Sequence, residues 1–338
     1  LTYGTEFTHD EESATRNGGV LPVFPDATAT RAGAYIQDEL KAGRWRITPG
    51  VRYDTFTTKA QSVAGTNENH HVSPKLGAVY TATPNLNLHA LYAQGFRAPS
   101  IQELYISGLH FGGSPTGIFV PNPDLKPELS VNTEAGFTHK GGGWFDKHDR
   151  TLVRVAIFRN DVSQFIDFAV FPVGFNQSDS GVTCTNGGGC LFFKPVNVQR
   201  ARLTGDEIEA SYTAPVWRAT LAFSQIRGID ADSGDPLDSM PADKLVLTLQ
   251  RAFQGGDWWV GGRRTQVEAQ DRVTDPSLET PGYVLLDALV TYEPMGARWR
   301  GLRVDMGVDN IMDVSYRRHL SPLKEAGRNY KTTVTYRF

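Results

Sequence analysis

Residues 329–338 read Asn-Tyr-Lys-Thr-Thr-Val-Thr-Tyr-Arg-Phe, and their alternation decides the fold. Successive side chains of an extended strand point to opposite faces. One face carries the apolar and aromatic side chains together with one threonine: Tyr330, Thr332, Val334, Tyr336 and Phe338. The other face is polar: Asn329, Lys331, Thr333, Thr335 and Arg337. Apolar residues toward lipid and polar residues toward a lumen are typical of a transmembrane β-barrel wall.

Upstream segments alternate in the same way. Their apolar faces hold Leu86, Leu88, Ala90 and Tyr92, then Leu245, Leu247 and Leu249, then Val304, Met306 and Val308. Polar residues dominate the opposite faces, including Asn87, His89, Lys244, Thr248, Gln250, Arg303, Asp305 and Asp309. No segment offers a convincing long helical stripe. The predicted fold class is therefore all-β, an antiparallel transmembrane β-barrel.

Composition limits the class of protein. The chain has 338 residues and a net charge of -3, so it is not a nucleic-acid binder by charge. No apolar run approaches the roughly 18 residues of a membrane-spanning helix. A transmembrane strand needs only about 10 residues of alternating character, so the sequence remains compatible with a membrane barrel.

The pattern predicts about 14 strands. They are placed at residues 1–10, 31–41, 44–58, 70–82, 85–96, 127–141, 150–168, 193–213, 216–230, 243–253, 257–270, 282–294, 302–311 and 327–338. Short turns such as 42–43, 84–85, 214–215 and 254–256 alternate with long loops at 11–30, 97–126, 169–192, 231–242, 271–281 and 312–326. Short turns on one rim and long loops on the other are typical of outer-membrane barrels, whose long loops are extracellular.

A soluble β-sandwich is the alternative architecture for alternating strands. Many of the predicted strands exceed the usual sandwich length of about 5 or 6 residues. Aromatic residues also recur near strand ends, where the girdles of a membrane barrel lie. They are Tyr53, Tyr80, Trp217, Trp258, Trp259 and Tyr292. A sandwich also gives no reason for the alternation of loop lengths, so we favour the barrel.

The segment 97–126 has the strongest functional signature. Phe-Arg-Ala-Pro at 96–99 and Asn-Pro-Asp-Leu at 122–125 enclose a glycine-rich stretch that contains His110. A loop of nearly 30 residues without obvious structure of its own is more often functional than a simple connection. A neutral imidazole nitrogen can act as a ligand, although an exposed loop histidine that binds nothing would have the same local sequence.

The sequence is similar to TonB-dependent outer-membrane receptors over nearly its whole length. The similarity lies in segments 34–39, 49–54, 73–77, 92–99, 122–128, 309–313 and 327–338. The two boxes that flank a histidine resemble those of haem and haemoglobin receptors within this family. Asp124 departs from the pattern, because the second box commonly has Asn at this position.

The resemblance implies a receptor in the bacterial outer membrane that takes up haem, free or from a haemoprotein, using the TonB energy-coupling system. Haem would be the transported ligand, and outer-membrane lipid would surround the protein. Such receptors have a plug domain and a barrel of about 22 strands. Residues 1–338 are therefore expected to form one domain, the C-terminal part of the barrel, with the plug and first strands missing. Counting back from the C-terminus puts 97–126 in the seventh extracellular loop.

The resemblance implies that His110 is an axial haem ligand. Its neighbours Phe111 and the following glycines would allow a flat porphyrin to approach closely. Tyr105, Phe111 and Phe119 are candidate stacking partners, although loop aromatics often pack against their own loop. His70 and His71 are adjacent and point in opposite directions, so we expect them to be solvated.

Arg97 has several possible partners. It could bind a haem propionate, or it could pair with Glu103 or Glu128. It could also face only water in the lumen. Its position at a strand end favours a structural role.

The two cysteines, Cys184 and Cys190, are separated by a glycine-rich turn on a predicted extracellular loop. Such a pair indicates a disulfide in an oxidising compartment. A metal clip would lack a second ligand pair, and two free thiols are the other alternative.

No catalytic motif is present, so we predict a protein that is not an enzyme. Paired carboxylates such as Glu207 and Glu209 are common on the lumen walls of barrels. The alternative functions are a ferric-siderophore receptor of the same family, which would not need His110, and a passive porin-like barrel.

Overall fold

The computed structural model describes residues 1–20, 23–61, 66–109, 117–171, 191–294, 296, 299–321 and 323–338. Four predicted site residues lie outside these ranges, namely His110, Phe111, Cys184 and Cys190. The predicted all-β class is confirmed, because the regular secondary structure of the described residues is almost entirely β-strand.

The strands are β1 (Thr2–Glu12), β2 (Thr15–Arg16), β3 (Gly19–Val20), β4 (Ala27–Gln37), β5 (Leu40–Ala42), β6 (Trp45–Ala60), β7 (Thr66–Thr83), β8 (Leu86–Arg97), β9 (Gly108–Leu109), β10 (Gly117–Phe119), β11 (Glu128–Gly141), β12 (Arg150–Phe171), β13 (Leu191–Thr213), β14 (Trp217–Asp230), β15 (Lys244–Phe253), β16 (Trp258–Val267), β17 (Tyr283–Tyr292), β18 (Leu302–Asp309) and β19 (Asn329–Tyr336). One α-helix, α1 (Ile101–Tyr105), and two 3₁₀ turns, Gln254–Gly256 and Pro276–Leu278, complete the described elements.

The wall is a meander in which each strand pairs antiparallel with the next. Both β4 and β5 pair with β6, so they act as one wall strand interrupted at Asp38 and Glu39. Counted in this way, the order β1, β4/β5, β6, β7, β8 and then β11 to β19 gives 14 wall strands. The predicted number is confirmed, and the predicted bounds lie within a few residues of the observed ones.

One face of the wall is apolar and exposed. Leu247 and Leu249 on β15 are 37% and 53% exposed, and Met306 on β18 is 37% exposed. Leu247 lies beside Leu221 of β14, and Met306 lies beside Val290 of β17, so the apolar face continues across neighbouring strands. This is the arrangement that a lipid-facing surface requires.

Aromatic pairs mark the rim with the short turns. The ring centroids of Trp45 and Tyr80 are 4.8 Å apart, and those of Trp258 and Tyr292 are 4.5 Å apart. Aromatic rings at such a rim form the girdle that lies at the lipid headgroups. No helix in the described ranges is long and apolar enough to span a membrane.

The segment 97–126 differs from the prediction. It was expected to have no structure of its own, and this was wrong, because it contains α1, β9 and β10. The strand β10 pairs antiparallel with β9 and parallel with β13. These pairings attach the segment to the wall.

A hydrophobic core lies where this segment meets the wall. The segment contributes Ile101, Leu104, Tyr105 and Leu125, and the wall contributes Ala27, Ala29, Phe56 and Ile166. The wall residues of β4 and β6 are on the face opposite to the exposed apolar residues Val51 and Tyr53. The segment therefore folds back into the mouth of the barrel lumen.

Candidate ligand-binding site at the barrel mouth

Arg97 ends β8 and joins two carboxylates. Its Nε and Nη2 atoms donate to Glu128, the residue directly opposite on β11, at 2.5 and 2.6 Å. Its Nη1 atom donates to Glu103 of α1 at 2.9 Å. The structure therefore brings Arg97 together with both of the carboxylates that the sequence suggested, and it shows a bracing role for this side chain.

Ser100 and Glu103 form a capping box that starts α1. The Ser100 hydroxyl accepts a hydrogen bond from the Glu103 amide at 3.2 Å, and Glu103 Oε2 accepts one from the Ser100 amide at 2.7 Å. Burial would raise the pKa of Glu103, but the Arg97 guanidinium and the Ser100 amide hold it below its usual value. Glu103 is therefore a carboxylate that fixes the helix to the wall.

Tyr105 is buried in the core at the mouth. It is 1% exposed, and its hydroxyl donates to the carbonyl of Thr58 on β6 at 3.1 Å. Burial of the ring raises the pKa of the hydroxyl. Its role as a porphyrin-stacking partner stays a prediction, and the observed packing is instead against protein.

Phe119 packs between β10 and its neighbours. It is 7% exposed, and its ring lies 5.9 Å from Phe193 and 6.2 Å from Phe168. These contacts match the alternative in which the loop aromatics pack their own surroundings. Contact with a ligand stays a prediction for this residue also.

The second box is held by side-chain amides that donate to main-chain carbonyls. The side-chain Nδ2 atom of Asn122 donates to the carbonyl of Pro195 at 2.8 Å. Asn67 donates to the carbonyls of Pro123 and Leu125 at 2.9 and 3.0 Å. Asp124 is exposed, so the departure from the usual Asn falls at a position that does not hold the box in place.

His110 follows directly on the last described residue before the gap, Leu109. Leu109 pairs with Ile118, the second residue of β10. The chain on both sides of 110–116 is therefore fixed by β-pairing at the mouth.

A cavity of about 600 Å³ opens beside the first box. Arg97 and Ser100 line it from the segment, and Arg31 and Arg52 line it from β4 and β6. Glu6 of β1 also lines it. These wall residues lie on the polar face, so the cavity is part of the lumen.

His70 and His71 contact different aromatic rings, as expected for adjacent residues on a strand. The His71 ring stacks on Phe96 with centroids 5.7 Å apart. The His70 ring lies 6.3 Å from that of Tyr53. Within the described ranges, no three His, Cys, Asp or Glu side chains are grouped closely enough to hold a metal ion.

His319 has a role that the local sequence did not indicate. Its Nε2 atom donates to the carbonyl of Asp238 at 2.6 Å, and its Nδ1 atom lies 3.0 Å from the hydroxyl of Thr280. It therefore connects the three long loops that follow β14, β16 and β18. The partners are 81 and 39 residues away, so no local motif could have revealed them.

The fold and mouth together define a transmembrane β-barrel receptor in which a long loop is folded into the lumen. The family model "TonB dependent receptor-like, beta-barrel" matches residues 1–311, so the chain belongs to this family. Its members are transporters of the bacterial outer membrane and not enzymes, which confirms the predicted location and class.

Three comparisons give the relationship in more detail. Heme/hemopexin utilization protein C of Haemophilus influenzae is 31% identical over 354 residues, which cover 100% of this chain and 48% of that protein. The chain thus spans about half the length of this relative. The copper transporter OprC superposes with a TM-score of 0.76 and 20% identity, covering 99% of this chain and 54% of OprC. The Serratia marcescens hemophore receptor HasR, solved as a double mutant with its hemophore HasA and heme, superposes with a TM-score of 0.74 and 20% identity. The match covers 99% of this chain and 55% of HasR.

Proposed function

We propose that this chain forms part of the barrel wall and the ligand-binding mouth of a receptor for energy-coupled haem uptake. In this proposal His110 is an axial ligand to the haem iron. The observation that carries the proposal is the placement of the two boxes. Both boxes pack at the lumen mouth, the first box lines an open polar cavity, and the pairing of β9 with β10 fixes the chain on either side of residues 110–116. An imidazole presented there can bind iron axially.

The relatives support haem more than other ligands. The relative that is 31% identical carries haem in its name, and the match covers the whole of this chain. The two solved structures support only the fold, because their sequence identities to this chain are 20% and their names refer to different ligands, copper and heme. In this proposal haem arrives free or on a haemoprotein, and the TonB system supplies the energy.

Replacement of His110 tests the axial ligand. The test uses outer membranes that contain the full-length protein. There His110→Ala should weaken haem binding and shift the iron absorption bands, because one axial nitrogen is lost. Absorption titration with haem measures both effects. The spectral shift is the more specific signal, since porphyrin burial contributes to affinity without the histidine.

His139→Ala is the matched control. His139 lies on β11 beside Trp144 of the short turn that follows, with ring centroids 5.9 Å apart, at the rim opposite to the mouth. It should change neither affinity nor spectrum. If His110→Ala also leaves both unchanged, the ligand assignment fails and a ferric-siderophore receptor becomes the better description. Ligand-independent solute flux would instead indicate a passive porin-like barrel.

The cysteine pair belongs to the same proposal. Cys184 and Cys190 fall in the sequence between the end of β12 at Phe171 and the start of β13 at Leu191, the two strand ends that lie at the rim of the mouth. In the oxidising environment outside the cell they would form a disulfide that fixes the tip of this loop.

A further inference from the structure

Arg31 is a lumen-cavity cation that has no partner among the residues the structure describes. It lies on β4, its side chain is exposed, and it lines the cavity beside Arg52 and Arg97. Among the described residues its guanidinium makes no ion pair or hydrogen bond, whereas the other two arginines of the lining are each held by two carboxylates. Arg52 is bound by Asp54 at 2.8 Å and by Glu6 at 3.1 Å.

A glycine explains why the neighbouring Arg52–Asp54 ion pair leaves the Arg31 side chain accessible from the cavity. Gly33 lies two residues from Arg31 on the same face of β4. A Cβ atom at Gly33 would collide with Nη2 of Arg52 and would lie 2.7 Å from Oδ1 of Asp54. The missing side chain therefore lets the Arg52–Asp54 pair lie against the wall. The cavity stays open, and the carboxylate of Asp54 is used by Arg52.

We propose that Arg31 binds a carboxylate of the ligand, a role for which the sequence had suggested Arg97. This assignment rests on the proposed haem function, in which the carboxylates are the two porphyrin propionates. A carboxylate that approached Arg97 would meet the negative charges of Glu103 and Glu128 at the same guanidinium. Arg31 offers a free planar donor for a charge-assisted bidentate hydrogen bond.

Esterified haem separates this charge contact from the rest of haem binding. Haem and haem dimethyl ester share the iron and the porphyrin, but the diester has no carboxylates. Arg31→Gln should lower haem affinity by about 10-fold or more and leave affinity for the diester unchanged, since a hydrogen bond to a charged group contributes about 1.5 to 3 kcal/mol. The preference of the wild-type protein for haem over its diester should disappear in this variant.

Arg200→Gln serves as the control, because Arg200 is an exposed arginine at the same rim that pairs with Asp232. It should keep the wild-type preference. If Arg31→Gln also keeps that preference, or loses affinity equally for haem and the diester, the Arg31 assignment is overturned.

The two proposals fail in different ways. If haem binds with a spectrum that depends on His110 while Arg31→Gln retains the full preference for haem, only the Arg31 assignment is lost. If the wild-type protein does not bind haem at all, both proposals are refuted.

Discussion

Arg97 illustrates how far the role of a single residue can be predicted from sequence. Its place at the end of a strand indicated bracing, and it does join Glu103 and Glu128. The sequence could not choose between these partners and a ligand, because Glu128 is 31 residues away and reaches Arg97 only through strand register. The sequence did not single out Arg31, because whether an arginine has a carboxylate partner depends on the residues that the fold places around it.

Asp149 is a second residue whose role depends on its surroundings. Both of its oxygens accept hydrogen bonds from backbone amides of the preceding turn. The four donors are Gly143, Trp144, Phe145 and Asp146, at 2.5, 3.2, 2.8 and 3.1 Å. Burial would raise the pKa of Asp149, but the amides together lower it to about 2. The ionised carboxylate thus organises the turn between β11 and β12.

Acid should remove the contribution of Asp149 to stability. The folded pKa is about 2 and the ordinary value is 3.8, so the folded protein favours the ionised form. This stabilisation is complete above pH 3.8 and is lost as the pH falls through about 2. Asp149→Asn should therefore be less stable than wild type at neutral pH, with a difference that shrinks toward pH 2. Urea unfolding in detergent at several pH values measures it. A difference that is independent of pH would contradict the role of ionisation.

At the scale of elements, α1 could have been predicted and was missed. Ser100-Ile101-Gln102-Glu103 has the Ser-x-x-Glu spacing of a capping box, which marks a helix start. With only five residues, α1 is too short to show helical periodicity. Its packing against β4 and β6 was not predictable, because it depends on the lumen curvature and on the pairing of β10 with β13.

The disulfide is a prediction about the loop between β12 and β13. If Cys184 and Cys190 are oxidised, a thiol reagent should label neither residue in folded or denatured protein until a reductant is added. Closing so short a loop should contribute at most about 2 to 3 kcal/mol to the free energy of unfolding. Mass spectrometry after alkylation gives the answer, and labelling before reduction would rule the bond out. Cys184→Ser provides a control in which Cys190 must be labelled without reductant.

At the scale of the whole molecule, the wall was the predictable part. Side chains of a strand alternate between two faces. A shift of one residue in the pairing register of a strand would turn its lipid-facing side chains into the lumen, so the apolar pattern of the sequence determines the register. The mouth was not predictable in this way. Its arrangement depends on contacts such as Asn67 to Leu125 and Asn122 to Pro195, which are 58 and 73 residues apart.

A charge on the outer face tests the wall directly. Leu247→Arg should destabilise the folded protein by about 2 to 4 kcal/mol if the position lies near the bilayer centre. Arg264, which lies beside Leu247 in register, adds like-charge repulsion. Val246→Arg is the matched control, because the adjacent side chain points into the lumen, where it lines a polar cavity. Refolding into lipid vesicles measures both free energies, and equal costs for the two variants would argue against the assigned faces.

The asparagines at the mouth have an evolutionary consequence. Asn67, Asn122 and Asn197 donate from their amides to carbonyl oxygens of the main chain. Every residue type has a main-chain carbonyl. Substitution of a residue whose carbonyl accepts one of these hydrogen bonds therefore leaves the bond intact. Asp124, which lies between the held carbonyls of Pro123 and Leu125, has an exposed side chain. A receptor built in this way can alter the side chains that meet its cargo while the path of the loop stays the same.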